Sequence, residues 1–197
     1  MDTREVIRTR RSTRVYTAEA VSETSLNQII EAGRLAPCGG NSQTTHFIVI
    51  RNKDVLAELV DLVQQEFAKM ELKADLYKSL QFSISKAKAG NYVFHYHAPI
   101  LIVTANKKDY GNAMADCSCA VENMMLMANE LNLGSCWINQ LHWLDENEVI
   151  HAYMLKLGLG SDETICAAVA IGHAASSDGL PNRKERAITG NPVTYVD

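Results

Sequence analysis

Hydrophobic residues recur at helical spacing in some stretches of this chain and form short unbroken runs in others. One helix is predicted over Ser25–Leu35, where apolar positions follow the i, i+3, i+4, i+7 spacing of a single helix face. These positions are Leu26, Ile29, Ile30 and Gly33. Ser22 or Ser25 can cap this helix, since a serine hydroxyl accepts hydrogen bonds from the unpaired N–H groups of a first turn. Pro37 and the pair Gly39-Gly40 then predict a loop.

Three unbroken apolar runs are typical of buried strands. They cover Phe47–Ile50, Ile100–Val103 and Ile165–Ile171. A second helix follows the first run, and its apolar positions are Val55, Leu56, Leu59, Val60, Val63 and Phe67. Residues 71–97 carry mixed signals and predict no clear element. Residues 145–157 predict a further helix, because two acidic residues open that segment.

The segment 111–133 predicts a helix with an unusually narrow polar side. Its polar positions are Asn112, Asp116, Asn123 and Glu130. At about 100° per residue, these four side chains fall within an arc of about 40°. Most of the remaining circumference is apolar, and a helix that is apolar nearly all round is buried nearly all round. This pattern predicts a partner subunit against the helix or, alternatively, a central position inside a monomer.

Composition and charge narrow the class of protein. No repeat, low-complexity tract or Pro/Ser-rich linker divides the chain, so residues 1–197 are predicted to form one domain. The chain is 47% hydrophobic and has a net charge of −4, which disfavours general attraction to nucleic acids or anionic membranes. Its start lacks the order of a signal peptide, and no apolar run approaches a membrane-spanning length. A cytoplasmic location is expected.

The cysteines and histidines predict no disulfide framework and no metal site. Five cysteines are an odd number, and none forms a C-x-x-C pair, which agrees with a reducing compartment. Cys117 and Cys119 would point about 200° apart on one helix, so we expect both to be small core residues. His95 and His97 would share one face of a strand, yet no third ligand stands nearby.

Two short cationic runs stand near opposite ends of the chain. The first covers Arg8–Arg14 (RTRRSTR) and the second covers Pro181–Arg186 (PNRKER). Arginine and lysine suit phosphate oxygens, and the basic surface is too small for a nucleic acid. The pair therefore suggests one anionic small molecule held by both ends of the chain. The alternative is two solvated surface runs.

Signatures of several common catalytic chemistries are absent. The chain has no G-x-S-x-G, no G-x-x-x-x-G-K-[ST], no H-E-x-x-H and no G-x-G-x-x-G. Gly158-Leu159-Gly160 lacks the third glycine of the last motif. An anion site without dedicated acid-base residues is typical of enzymes whose chemistry is supplied by a cofactor.

Four segments resemble motifs of the FMN-dependent nitroreductase family and occur in that family's order. Arg10–Tyr16 (RRSTRVY) resembles its R-R-S-x-R-x-[FY] opening, and Glu31–Gln43 (EAGRLAPCGGNSQ) resembles its E-A-x-x-x-A-P-S-x-x-N-x-Q segment. Leu131–Ile138 (LNLGSCWI) is similar to its E-L-G-L-G-S-C-W-I helix end. Ala170–His173, followed by Arg183–Arg186, is similar to its closing I-G-Y…K-x-R. The four segments together span nearly the whole chain.

The resemblance implies a site for FMN. The residues expected at its phosphate, ribityl and pyrimidine oxygens are Arg10, Arg11, Ser12 and Arg14, with Lys184 and Arg186 closing on the phosphate. The residues expected to reach the isoalloxazine edge from the other subunit are Pro37, Cys38, Gly39 and Asn41. The segment whose backbone would meet flavin N5 is Asn139, Gln140 and Leu141. No side chain is assigned a catalytic role, because flavin N5 carries the chemistry.

The resemblance also implies a fold, an assembly and a reaction. The fold would be a nitroreductase-like α+β structure, with a central mixed or antiparallel sheet surrounded by helices, in an intertwined homodimer with FMN at the interface. The reaction would be ping-pong. NADH or NADPH would reduce the flavin and leave before an acceptor such as a nitroaromatic, a quinone or an enone takes two electrons.

Three positions depart from the family pattern, and several functions stay open at this point. Thr44-Thr45 stands where the family usually has Pro-Trp, which would alter the wall above the ring and thereby the acceptor. Cys38 replaces a common serine and is expected to be a small contact residue rather than a reactive thiol. The alternatives are a flavin-reducing, flavin-fragmenting or dehalogenating relative, a non-catalytic flavin-binding protein, and an interaction domain without a cofactor.

Overall fold

Seven α-helices, four β-strands and one 3-10 turn make up the fold, and the computed structural model describes residues 1–197. The helices are α1 (Thr3–Thr9), α2 (Glu23–Arg34), α3 (Lys53–Lys69), α4 (Lys78–Lys88), α5 (Ala113–Glu130), α6 (Gln140–Trp143) and α7 (Glu148–Lys156). The strands are β1 (His46–Ile50), β2 (Ile100–Lys107), β3 (Gly134–Ile138) and β4 (Glu163–Gly172). The 3-10 turn is Gly39–Asn41. No helix is both long enough and apolar enough to cross a membrane.

The four strands form one antiparallel sheet in the order β1-β2-β4-β3. The central strands pair from Ile100 opposite Ile171 to Lys107 opposite Glu163, with a register shift at Thr104/Ala105. Helices surround this sheet, which confirms the predicted α+β class. The sheet is antiparallel throughout rather than mixed.

Helices cover both faces of the sheet and create two hydrophobic cores. The larger core, of 25 buried residues, includes side chains from α3, α4, α6 and α7. The smaller core, of 12 buried residues, lies between the sheet and the helices α2 and α5. The alternation of β2 explains this division, since Leu101 and Val103 join the larger core whereas Ile100 and Ile102 join the smaller.

The predicted helices are confirmed with shifted ends that have local causes. Ser22 caps α2, because its hydroxyl oxygen accepts a hydrogen bond from the Ser25 N–H at 3.1 Å. The helix predicted over 111–133 ends at Glu130, because Asn132 adopts a left-handed φ of 61° and turns the chain into β3. The helix predicted over 145–157 begins at Glu148, where the Asn147 side chain caps α7.

The segment 71–97 contains a helix and a turn that the sequence did not predict. The helix is α4, which contributes Ile84 and Ala87 to the larger core. The placement of His95 and His97 on one strand face is wrong, because they belong to a turn in which Tyr96 and His97 have left-handed φ values of 58° and 59°. His95 is buried and His97 is exposed.

Buried His95 makes the stability of the fold depend on pH. Burial, together with the nearby His97, lowers the pKa of His95 from 6.5 to about 4. Below its ordinary pKa the unfolded chain therefore binds a proton that the native chain does not, so stability falls as the pH falls toward 4. Between about pH 7 and about pH 4.5 we expect a loss of roughly 2 kcal/mol from this residue.

Urea unfolding of the wild type and of His95→Phe at both pH values measures this contribution. The variant should lose less stability on acidification than the wild type, because other titrating groups act equally on both proteins. Identical pH dependence in the two proteins would contradict the prediction.

Candidate functional site

The two cationic runs meet in one cleft of about 1440 Å³. Residues of α1, of the segment that follows it and of the C-terminal segment line this cleft. The basic lining residues are Arg4, Arg8, Arg10, Arg11, Arg14, Lys184 and Arg186. Glu185 is the one acidic lining residue. In a chain with a net charge of −4, this local excess of positive charge favours a bound anion.

The first run is fixed beside β3. Ser12 forms a parallel bridge with Ser135, and the Thr13 N–H donates to the Ser135 carbonyl at 2.8 Å. Gly134 permits this approach, because a Cβ atom at that position would lie 2.7 Å from the Thr13 side chain. The backbone around Ser12 is thereby attached to the sheet.

The second run is fixed by Arg183. Its guanidinium donates to the Asn129 carbonyl at 2.6 Å and to the Asn132 side-chain oxygen at 2.7 Å. The Asn129 amide in turn donates to the Val6 carbonyl at 3.0 Å. The end of α5 therefore holds both α1, which contains the start of the first run, and the chain that carries the second run. Sequence reasoning missed Asn129, since its role depends on contacts across more than 50 residues.

The basic side chains of the cleft differ in how much of their hydrogen-bonding capacity the protein already uses. Arg11 donates to the carbonyls of Arg10 and Lys184 at 2.6 and 2.8 Å, so it joins the two runs. Arg10 has only a long ion pair, 3.5 Å from Glu122. Arg186 is exposed and forms no ion pair or side-chain hydrogen bond within the chain. Arg10 and Arg186 therefore have donors available to an anion, as do Arg4 and Lys184, whose side chains form no ion pair or hydrogen bond within the chain.

Arg14 stacks on an aromatic ring at one side of the cleft. Its guanidinium carbon lies 5.8 Å from the centre of the Tyr96 ring, a cation–π distance. Tyr96 belongs to the left-handed turn, and no pattern of residues predicts this contact. Burial raises the pKa of the nearby Cys136 thiol, so this thiol stays uncharged beside Arg14.

Pro37, Cys38, Gly39 and Asn41 lie in a loop apart from the cleft. Pro37 and Cys38 line a second cavity, of about 390 Å³, that shares no lining residue with the cationic cleft. A single chain therefore does not bring this loop and the two cationic runs into one cavity. Asp116 of α5 binds this loop, because its carboxylate accepts a hydrogen bond from the Gly39 N–H at 3.0 Å.

Asn139, Gln140 and Leu141 follow β3 directly, and their side chains are occupied within the protein. Leu141 is fully buried in the larger core, and the Gln140 amide donates to the Tyr92 hydroxyl at 2.6 Å. The Asn139 side chain accepts from the Trp137 ring N–H at 2.5 Å. The Asn139 and Leu141 carbonyls accept from the N–H groups of Trp143 and Leu144, so the backbone N–H groups are the ones left to contact a ligand.

The polar arc of α5 faces the protein rather than solvent. Asp116 is buried, and the Asn123 amide donates to the Ala32 carbonyl of α2 at 3.0 Å. The exposed positions of the helix are Met114, Ala115, Cys119 and Glu122. The prediction of a buried core cysteine is confirmed for Cys117 and wrong for Cys119.

The chain belongs to the nitroreductase family, whose model matches residues 7–173. A crystal structure of a nitroreductase with bound FMN from Bacteroides fragilis is 34% identical, covers 100% of both chains and has a TM-score of 0.86. A nitroreductase with bound FMN from Desulfitobacterium hafniense is 25% identical, also covers 100% of both chains and has a TM-score of 0.81. These matches confirm the nitroreductase fold.

A curated relative carries a name that includes an electron donor. The "Putative NADH dehydrogenase/NAD(P)H nitroreductase" of Archaeoglobus fulgidus is 28% identical over 172 residues. The match covers 85% of this chain and 83% of that protein.

Proposed function

We propose that this chain is an FMN-dependent oxidoreductase that takes electrons from NADH or NADPH and reduces a small electrophilic acceptor. The observation that carries this proposal is the convergence of both cationic runs on one cleft in a member of the nitroreductase family. Bound FMN in the Bacteroides fragilis and Desulfitobacterium hafniense nitroreductases supports the cofactor. The name of the Archaeoglobus fulgidus relative supports the donor.

The residues of the cleft fit the phosphate end of FMN. Arg10, Lys184 and Arg186 line the same cavity, and arginine side chains match the geometry of phosphate oxygens. Hydrogen bonds to charged groups contribute about 1.5–3 kcal/mol each, so three or four of them could reach micromolar binding, at about −8 kcal/mol. We assign the phosphate to these three residues and the ribityl chain to Arg11 and Ser12.

Other residues would orient the ring and exclude water from it. When bound, FMN supplies a hydride-accepting atom, N5, and the transfer of two electrons. Arg14, held against Tyr96, would place its positive charge at the pyrimidine end and stabilise negative charge there. The backbone of residues 139–141 would face the N5 side. The loop of Pro37, Cys38, Gly39 and Asn41 would cover the ring from the partner protomer.

A homodimer is the assembly we propose, with one FMN site completed by residues of both protomers. The exposed face of α5 consists of small or apolar side chains beside Glu122, which suits a close helix–helix contact. The C-terminal segment forms no helix or strand, and it exposes Ile188, Val193, Tyr195 and Val196. A second copy would cover both surfaces. We further propose that residues 1–197 act as one domain and that the protein works in the cytoplasm.

The absorbance spectrum of the purified, FMN-reconstituted protein tests this function first, and nicotinamide oxidation with an artificial acceptor tests it second. We expect a flavin spectrum that stays with the protein on desalting, and oxidation of NADH or NADPH that requires the acceptor. Flavin binding without turnover would identify a non-catalytic flavin-binding protein. A colourless protein that takes up no FMN would contradict the proposal and favour an interaction domain.

A ping-pong mechanism is the kinetic prediction of this proposal. The chain has one cationic cleft and no separate dinucleotide motif. The electron donor and the acceptor must therefore use the same face of the flavin in turn. Steady-state rates with a reduced nicotinamide and a quinone should therefore give parallel double-reciprocal lines. Intersecting lines would require both substrates to be bound together and would contradict a single shared site.

A further inference from the structure

The loop of residues 38–43 contains three residues with left-handed backbone. Gly40, Asn41 and Gln43 have φ values of 57°, 54° and 51°. Glycine and asparagine adopt this backbone readily, whereas it is uncommon for glutamine, so Gln43 holds a shape that its residue type does not favour. Such a shape persists when the surrounding structure holds it in place.

A buried carboxylate holds this loop from α5. Both oxygens of Asp116 accept from the Gly39 N–H, at 3.0 and 3.2 Å, and Asp116 is only 5% exposed. The Tyr110 hydroxyl lies 2.9 Å from Asp116 Oδ2 and 3.0 Å from the Gly39 carbonyl oxygen. The Ser42 hydroxyl lies 3.2 Å from the Tyr110 hydroxyl. Asp116 thereby binds the start of the 3-10 turn directly, and together with Tyr110 it holds Ser42 at the end of the turn, 3.5 Å from Asp116 Oδ2.

Glycine at position 39 lets the loop lie close to Tyr110 and Asn112, which precede α5. A Cβ atom there would lie 2.2 Å from Asn112 Nδ2 and 2.5 Å from the Tyr110 hydroxyl oxygen. Cys38 and Gln43 line the cavity of about 390 Å³ together with Asp116. The Asp116 carboxylate therefore lies between the loop backbone and this cavity, and it binds the loop at Gly39.

The same helical turn also carries part of the exposed face of α5. Met114 and Ala115 are exposed, whereas Asp116 points to the loop of its own chain. The helix that we place at the dimer interface is therefore also the support of the loop that would cross to the partner's flavin. Both functions depend on the first turns of α5.

We propose that Asp116 is a positioning residue that fixes the 38–43 loop in its flavin-covering shape before the cofactor arrives. This inference rests on the proposed FMN function. A loop that is already ordered need not be ordered on binding, so its anchor increases flavin affinity without touching the flavin. Removal of the anchor should loosen the loop in the flavin-free protein and weaken FMN binding in the same variant.

Asp116→Ala, Asp116→Asn and the control Asp109→Ala test this proposal. Asp109 is exposed and lies seven residues before Asp116, so its removal changes the same charge near the same helix. Amide hydrogen exchange of residues 39–43 is measured without FMN, and the FMN dissociation constant is measured by fluorescence titration. For Asp116→Ala we expect the amide exchange rates of residues 39–43 and the FMN dissociation constant each to rise about tenfold. A rise of this size is the effect of losing a charge-assisted hydrogen bond.

Asp116→Asn should restore much of both properties, because its amide oxygen can still accept from the Gly39 N–H. Asp109→Ala should behave as the wild type. If Asp116→Ala fails to fold, Tyr110→Phe replaces it as the test, since this variant keeps the carboxylate and removes one of its partners. Tyr110→Phe should then show faster exchange at Gly39 and weaker FMN binding.

Three results would overturn the proposal. Wild-type exchange and wild-type FMN affinity in Asp116→Ala would show that the carboxylate does not hold the loop. Faster exchange with unchanged FMN affinity in Asp116→Ala would show that Asp116 anchors the loop but has no role in FMN binding. A wild-type protein that binds no FMN would overturn the proposed function itself, and the exchange data would still decide whether Asp116 anchors the loop.

Discussion

Replacing Arg10 by alanine should weaken FMN binding by tenfold to a hundredfold, and Arg186→Ala should have a similar effect. Loss of a hydrogen bond to a charged group removes about 1.5–3 kcal/mol, which corresponds to this range of affinity. Arg10 has one ion pair, at 3.5 Å, and Arg186 has none, so neither side chain is needed to hold the fold. Fluorescence titration of the apoprotein with FMN measures the change.

Arg51→Ala is the matched control for these variants. Arg51 is exposed and pairs with Glu23 outside the cleft, so its loss removes an equal charge without touching the site. The dissociation constant of this control should equal that of the wild type. Wild-type FMN affinity in both Arg10→Ala and Arg186→Ala would show that the FMN phosphate does not bind in the cationic cleft.

The elements predicted correctly from the sequence are those whose hydrophobic pattern follows their burial. The strands β1, β2 and β4 contain unbroken apolar runs, and the helices α2 and α3 have apolar residues at helical spacing, because one or both of their faces pack into a core. The helix α4 was missed, since only Ser83, Ile84 and Ala87 of its residues are buried and its N-cap, Tyr77, forms no side-chain cap. The turn at Tyr96 and His97 was missed because left-handed backbone at such residues has no sequence signature.

Predicting the site depended on contacts that periodicity does not describe. The polar arc of α5 was found correctly, yet spacing alone cannot distinguish a solvated polar face from one that binds another segment. Asp116 binds a loop 77 residues earlier in the chain, and Arg11 binds the backbone of Lys184, 173 residues later. The charge of the two cationic runs predicted a shared anion, and the family resemblance then identified that anion as FMN.

The exposed face of α5 determines where a substituted charge can test the dimer. Met124 belongs to the smaller core and is fully buried within one chain. A charge at Met124 would therefore unfold the protomer rather than separate two folded protomers. Cys119 lies on the exposed face of the same helix, and its side chain is free to meet a second copy.

Cys119→Glu should convert the dimer into a folded monomer with at least a hundredfold weaker FMN binding. In a two-fold symmetric interface each substitution occurs twice, and an unpaired buried carboxylate costs several kcal/mol, so the association should be lost at micromolar concentration. The loop of Pro37, Cys38, Gly39 and Asn41 would then no longer cover the partner's cleft. Sedimentation, circular dichroism and flavin titration on one sample measure assembly, fold and binding together.

Val149→Glu provides the matched control for this experiment. Val149 is an exposed residue of α7, whose buried residues Ile150 and Met154 pack into the core on the opposite face of the sheet from α5. The same charge placed there should leave both the dimer and FMN binding unchanged. The shared site requires that Cys119→Glu lose flavin affinity in proportion to its loss of dimer. A folded monomer that binds FMN with normal affinity would show instead that one chain forms the complete site.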